Sequence, residues 1–178
     1  MIQTNVANFL APIAAKRAEA NALASYAPKG QNSLAPMGMG GQDELSAIDV
    51  AGSAMGLNET DKKSALSEFL NNGGQNLDPE TTAWCAAFVN ASLKQAGKEG
   101  TNSLAARSFL DWGQEVDTPQ IGDVAVFSRG DPNGRQGHVG FFKGFNPDGS
   151  IRVLGGNQSN SVSEQTYGRD RLLGFRRG

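Results

Sequence analysis

The sequence predicts an α+β fold in which helices come first and an antiparallel sheet follows. Apolar residues recur at helical spacing between residue 44 and about residue 112, whereas the alternation typical of strands begins after Pro119. Two strand segments flank the stretch 146–149 (NPDG), whose Pro and Gly suit a type I turn followed by a left-handed glycine. Because strands joined by so short a turn run antiparallel, we expect helices packed on an antiparallel sheet.

Four helices are predicted ahead of the sheet. Gly56, Gly97 and Gly113 follow the first, third and fourth of them, where a glycine commonly ends a helix. Asn58 or Thr60 caps the start of the second. The four predicted helices cover residues 44–56, 58–70, 82–97 and 104–112.

Five strands are predicted after the helices, and the fourth has the weakest pattern. They cover residues 122–128, 137–145, 150–156, 161–167 and 171–177.

Residues 1–43 differ from the rest and are predicted to be an extension or linker ahead of a domain of residues 44–178. The first part, to about Tyr26, is alanine-rich with helical spacing interrupted by Pro12, and residues 27–42 are rich in Gly, Pro, Ser and Asn. With few large apolar residues, this segment either stays mobile or docks on a partner. The N-terminus lacks a basic region and its apolar run is broken, so we expect no signal peptide. No apolar stretch approaches the ~20 residues of a membrane span.

The composition excludes several classes of protein. Among 178 residues there is one cysteine, Cys85, and one histidine, His138. An internal disulfide is impossible, and a structural zinc site, which needs four Cys or His ligands, cannot be assembled. The net charge of −2 does not indicate the basic surface that binds duplex nucleic acid. We therefore expect no metal and no nucleic-acid partner.

Cys85 stands in the first turn of the third predicted helix. Unpaired backbone amides and the positive end of the helix dipole gather there, and both favour a thiolate. The same amides can donate to an oxyanion formed at an attacked carbonyl. A lone cysteine is otherwise a small buried hydrophobic residue, but its location at a helix start weakens that alternative.

His138 lies on the second predicted strand, and the small neighbours Gly137 and Gly140 leave open space beside its ring. A lone histidine on a strand is often structural. As a general base it would need access to the substrate and a third group on its second ring nitrogen.

The hairpin register offers two candidates for that third group. If Phe145 pairs with Ser150 across the turn, His138 lies opposite Asn157. A bulge at Gly149 would move the register by one residue and offer Gln158 instead. An amide oxygen at either position can hold the imidazole, although Asn157 is also explained as a turn residue.

Four motifs carry a family resemblance: WCAAFV at 84–89, GDV at 122–124, GHVG at 137–140 and GGNQ at 155–158. Together they resemble the papain-like bacterial cell-wall hydrolases, which include the CHAP (cysteine, histidine-dependent amidohydrolase/peptidase) and NlpC-type families. The sequence looks closest to a phage- and bacteria-borne subgroup with WCAAFVN and VLGGNQSN motifs. The resemblance covers about residues 44–178 and implies a papain-like fold.

The resemblance implies a role for each of three residues. Cys85 is the nucleophile, His138 the general base and Asn157 the orienting residue, with Gln158 as the alternative to Asn157. The implied reaction is acyl transfer through a thioester, without metal or cofactor, on a peptidoglycan amide. That amide lies either within the stem peptide or between muramic acid and L-alanine. We expect the backbone amide of Cys85 to stabilise the oxyanion by donating a hydrogen bond. We also expect the pH dependence of the rate to follow a coupled thiol–imidazole pair rather than two isolated groups.

Further residues are candidates for binding the substrate, although the tryptophans are equally explained as core and the loop 129–136 as a plain connection. The candidates are Trp84, Trp112, Ser128, Arg129, Arg135 and Gln158.

Several biological roles fit these expectations. The favoured role is a phage lysin carried on the virion through residues 1–43, followed by an endolysin that passes from the host cytoplasm to the periplasm and cell wall. The alternatives are a structural virion protein with an inactive hydrolase-like domain and a bacterial amidase toxin effector. A serine or metal hydrolase built on His138 is disfavoured, because neither Ser108 nor Ser128 sits in a Gly-x-Ser-x-Gly elbow.

Overall fold

The computed structural model of this chain describes residues 45–178, so the predictions made for residues 1–43 lie outside the described residues. The described part contains three α-helices, two 3₁₀-helices and one six-stranded sheet. The helices are α1 (Ala47–Ser53), α2 (Lys63–Asn72) and α3 (Cys85–Gln95), and the 3₁₀-helices are Ala106–Asp111 and Arg169–Arg171. The strands are β1 (Gln114–Glu115), β2 (Val124–Ser128), β3 (Gly137–Phe145), β4 (Ile151–Gln158), β5 (Ser161–Tyr167) and β6 (Leu172–Arg177).

The sheet confirms the predicted α+β class. Its strand order is β1-β6-β2-β3-β4-β5, and all neighbouring strands pair antiparallel. The strand β2 in the middle is buried along its whole length. Helix α3 packs on β3 and β4, and nine of its eleven residues are buried. The central helix and the central strands therefore share one core, and Cys85 opens that helix.

The helices are shorter than predicted, for local reasons. Ser46 caps α1, since its side chain accepts a hydrogen bond from the Asp49 amide. The Asn58 side-chain oxygen accepts from the amides of Thr60, Asp61 and Lys62, so it organises a turn and α2 begins only afterwards. A polar side chain that satisfies nearby amides competes with a helix start in this way.

The third and fourth predicted helices also differ in the structure. Helix α3 begins at Cys85 rather than near Thr82, which places the cysteine amide at the helix end. The fourth predicted helix is a 3₁₀-helix, and the two-residue strand β1 after it was not predicted. In the described part of the chain, no helix has the length and apolar character needed to cross a membrane.

The predicted β3–β4 turn is confirmed, and the register departs from the predicted one only beside the turn. Gly149 has a φ of +81°, and the Asn146 amide donates to Ser150 O at 2.8 Å. Phe145 pairs with Ile151 rather than with Ser150. An irregularity between Phe142 and Gly144 then shifts the register by one residue, so the extra residue lies within β3 and not at Gly149.

Candidate active site

Cys85 lies at the start of α3 with 6% of its surface exposed. The backbone amides of Val139 and Ala86 lower the pKa of the thiol, whereas burial raises it more. Val139 follows His138 directly on β3, so the strand that carries the histidine passes near Cys85. Burial has the larger effect, so the pKa of Cys85 is raised overall.

Two glycines of β4 allow that strand to pass close to the cysteine and the histidine. A Cβ on Gly156 would lie 2.5 Å from Phe88 Cβ and 2.6 Å from Trp84 Cζ3, both on residues at the start of α3. A Cβ on Gly155 would lie 3.2 Å from His138 Nε2. The Gly-Gly pair is therefore required by space, because a side chain at either position would crowd the candidate site.

His138 is 1% exposed and makes one side-chain hydrogen bond among the described residues. Its Nε2 lies 3.1 Å from Oε1 of Gln158. Its Nδ1 is buried and has no hydrogen-bond partner within residues 45–178. A buried, unpaired nitrogen is costly in a purely structural histidine, so this atom is the one available for proton transfer.

The orientation of the Gln158 amide follows from its other contacts. Its Nε2 donates to the backbone carbonyl of Ser163, which leaves Oε1 facing His138 and Tyr167. Because an amide oxygen only accepts, the neutral His138 ring must carry its proton on Nε2. Nδ1 is then unprotonated and able to accept the thiol proton of a nucleophile.

Gln158, rather than Asn157, makes the hydrogen bond to the imidazole, and two local features of β4 explain this contact. The pairing with β5 is irregular between Gly155 and Gln158, and Asn157 there adopts a left-handed backbone with a φ of +55°. Ser159 and Asn160 also have positive φ, as a two-residue hairpin turn requires. The bulge at Asn157 interrupts the alternation of the strand, so Gln158 occupies the face turned towards His138.

The electrostatic state of the pair follows from its burial. The pKa of His138 is lowered to about 4, chiefly by burial. The hydrogen bond to Gln158 raises this pKa, and the charges of Arg129 and Arg171 lower it. The pKa of Cys85 is raised. Both shifts favour the neutral thiol and the neutral imidazole at neutral pH.

We expect the acid limb of kcat/KM to lie near pH 4 instead of near 6.5, the ordinary pKa of a histidine. Below the lowered pKa the imidazolium has no free Nδ1 to accept the thiol proton, and above it the neutral ring does. Initial rates of hydrolysis from pH 3 to pH 10 measure the limb. An acid limb near pH 6.5 would contradict the effect of burial described here. The limb reports an apparent pKa of the coupled thiol–imidazole pair rather than of either group alone.

The predicted substrate-binding residues divide by exposure. Trp84 is fully buried and donates from its indole nitrogen to Glu59, so it belongs to the core and does not line a groove. Ser128 is 2% exposed, and its hydroxyl donates to Arg171 O. Gln158 is also buried, and its Oε1 forms a hydrogen bond with His138 Nε2. None of these three side chains is open to a ligand in this structure.

The two arginines of the predicted rim are exposed, and the charge of Arg129 acts on both Cys85 and His138. Arg107 holds their loop through hydrogen bonds to the carbonyls of Pro132 and Gln136. Trp112 instead lines a pocket of about 270 Å³ that borders neither Cys85 nor His138.

Sequence reasoning did not find Tyr167. Its hydroxyl donates to Gln158 Oε1 at 2.8 Å, and its ring stacks on the His138 ring with centroids 5.1 Å apart. Tyr167 ends a strand whose buried residues do not alternate, so no periodicity marks it. Its contact with the site depends on how β5 pairs with the bulged strand β4, which no local pattern indicates.

Comparison with known proteins gives one match. Residues 77–157 match the family model described as the CHAP domain, a segment that includes Cys85, His138 and Asn157 and ends one residue before Gln158. No curated protein matches the chain.

Proposed function

We propose that this chain is a peptidoglycan hydrolase with a Cys-His-Gln mechanism, and the match of residues 77–157 to the CHAP-domain model supports the hydrolase assignment. Cys85 is the nucleophile, His138 the general base and acid, and Gln158 the residue that orients the imidazole. The observation that carries the proposal is the pairing of His138 Nε2 with Gln158 Oε1, which leaves Nδ1 buried and unpaired. The histidine precedes Val139, whose backbone amide lowers the pKa of the Cys85 thiol and so lies near it.

The proposed reaction proceeds in two steps. In the first, Nδ1 takes the thiol proton as the sulfur attacks the amide carbonyl, and the protonated ring then passes that proton to the leaving amine. This step breaks the C–N bond and leaves a thioester on Cys85. In the second, the neutral ring takes a proton from water and the hydroxide adds to the thioester. The C–S bond then breaks, the free acid leaves, and the protonated ring returns its proton to the sulfur of Cys85.

The oxyanion formed in both steps needs preorganised donors. The Cys85 amide is the proposed donor, because it lies at the N-terminal end of α3, where backbone amides lack helical partners. Nothing has to reorganise at the moment of attack, since the helix that holds the donor is packed into the core.

Arg129 is proposed to bind an anionic part of the substrate beside the scissile amide. Its side chain is exposed and pairs with no carboxylate in the described part of the chain, while its charge is felt at both Cys85 and His138. Arg135 lies exposed on the same loop and is proposed to extend this positive rim. Attachment to a phage particle through residues 1–43 stays a prediction from the sequence.

We expect the purified chain to solubilise Gram-negative sacculi, and mass spectrometry of the products identifies the bond. Free stem peptides that begin with a new L-alanine amino terminus indicate cleavage between muramic acid and L-alanine. Shortened stems that remain attached to sugar indicate cleavage within the peptide. Sacculi that stay intact, with neither product above the level of a buffer control, would contradict the proposed function.

A further inference from the structure

Tyr167 touches two members of the proposed site at once. Its hydroxyl donates to Gln158 Oε1 at 2.8 Å, and its ring stacks on the His138 ring at an interplanar angle of 17°. The other contacts of the ring fix its own place, since it stacks on Phe127 at 4.7 Å and lies 5.3 Å from the guanidinium carbon of Arg171. Tyr167 is 8% exposed, so these contacts form within the core.

The hydroxyl bond constrains the glutamine, and the glutamine constrains the histidine. An amide oxygen has two lone pairs, and Oε1 uses them for the Tyr167 hydroxyl and for His138 Nε2. The glutamine amide group is held at its other end by Ser163 O. With both ends held, the amide cannot flip, so an acceptor is always presented to the imidazole.

The stacked ring constrains the plane of the imidazole. A ring rotation that broke the bond to Gln158 would also lose the parallel contact with Tyr167. The hydroxyl and the ring of one residue therefore resist the two movements that would displace Nδ1, which are a flip of the amide and a rotation of the imidazole.

We propose that Tyr167 is a positioning residue that acts through Gln158 and by stacking, and that it keeps the His138 proton on Nε2 and Nδ1 free for the thiol. Tyr167 does not touch the reacting atoms in this arrangement. This inference rests on the proposed function only in taking His138 as the base. The tautomer of the His138 ring can be measured without a substrate.

The single histidine of the chain makes the first test direct. A two-bond ¹H–¹⁵N spectrum of histidine-labelled protein at neutral pH contains one imidazole and reports which nitrogen carries the proton. We expect the Nε2–H tautomer in the wild type and a mixture of both tautomers in Tyr167→Phe. A wild-type ring protonated on Nδ1 would overturn the proposal, and this measurement needs neither activity nor a variant.

Kinetics provide the second test. In Tyr167→Phe the ring remains and only the hydroxyl is lost, so kcat is expected to fall about 3- to 10-fold while KM changes less than about twofold. In a Gln158→Leu background the same substitution is expected to change kcat by less than about twofold, because the hydroxyl then has no partner to act on. Additive losses in the double variant would overturn the proposed route through Gln158.

Thr166→Val is the matched control, since Thr166 precedes Tyr167 on β5 and its side chain is exposed. It removes a hydroxyl from the same strand and is expected to leave both kcat and the tautomer unchanged. If the wild type hydrolyses no peptidoglycan, the proposed function fails, while the tautomer of the wild type and of Tyr167→Phe still decides the role of Tyr167.

Discussion

Cys85→Ala is expected to reduce peptidoglycan hydrolysis by at least about 10⁴-fold while the protein remains folded. No other cysteine exists in the chain to take over, so loss of this sulfur removes the only thiol nucleophile. The side chain is small and buried, and replacing it by alanine is expected to cost about 1 kcal/mol of stability. Initial rates of product release and a thermal unfolding curve measure the two quantities.

Ser92→Ala is the control for that substitution. Ser92 is fully buried on the same helix, where its hydroxyl donates to Phe88 O, so its replacement perturbs α3 to a similar degree without touching the site. We expect this variant to hydrolyse peptidoglycan at nearly the wild-type rate. Wild-type turnover by Cys85→Ala would refute the thioester mechanism.

Gln158→Leu is expected to lower kcat about 100-fold, with little change in KM. Leucine has a similar volume and fills the buried position, but it offers no acceptor to His138 Nε2 or to the Tyr167 hydroxyl. The imidazole then loses the partner that sets its tautomer and its orientation. Steady-state kinetics measure the loss, and the single-histidine NMR spectrum shows whether the proton has left Nε2.

Asn157→Gly is the control that separates the two neighbours. Glycine accepts the left-handed backbone that Asn157 adopts, with a φ of +55°, so the substitution removes the amide and preserves the bulge. We expect kcat to change less than about threefold, within the small effect of most surface substitutions. A large loss in Asn157→Gly together with a mild effect of Gln158→Leu would return the orienting role to Asn157.

The two candidates differ by one position, and the reason is structural. Counting back from an assumed pair of Phe145 with Ser150 leads to Asn157. The irregularity in β3 returns the pairing to this counted register at Phe142 and Phe141, so it does not account for the difference. The bulge in β4 between Gly155 and Gln158 does, because it brings Gln158 to His138. A strand bulge is set by the packing of both partners, so a count along one chain does not reveal it.

Residue burial likewise depended on the fold. The sequence left Trp84 open between the core and the substrate groove, and in the structure α3 begins at Cys85 while Trp84 packs in the core beside Phe88. Ser128 ends a strand whose five residues are all buried. Polarity and neighbourhood in the sequence indicate what a side chain can do chemically, whereas its accessibility is decided by what packs over it.

The sequence alone determined the class of the fold, the order of helices and strands, and the candidate pair Cys85 and His138, because periodicity, turn residues and the scarcity of Cys and His are local or countable properties. The tertiary structure decided which amide faces the imidazole, that Tyr167 packs on it, and that burial lowers the pKa of His138 and raises that of Cys85. These depend on strand register, on the bulge at Asn157 and on burial between α3 and the sheet. All three are long-range properties that arise only when distant segments pack against one another.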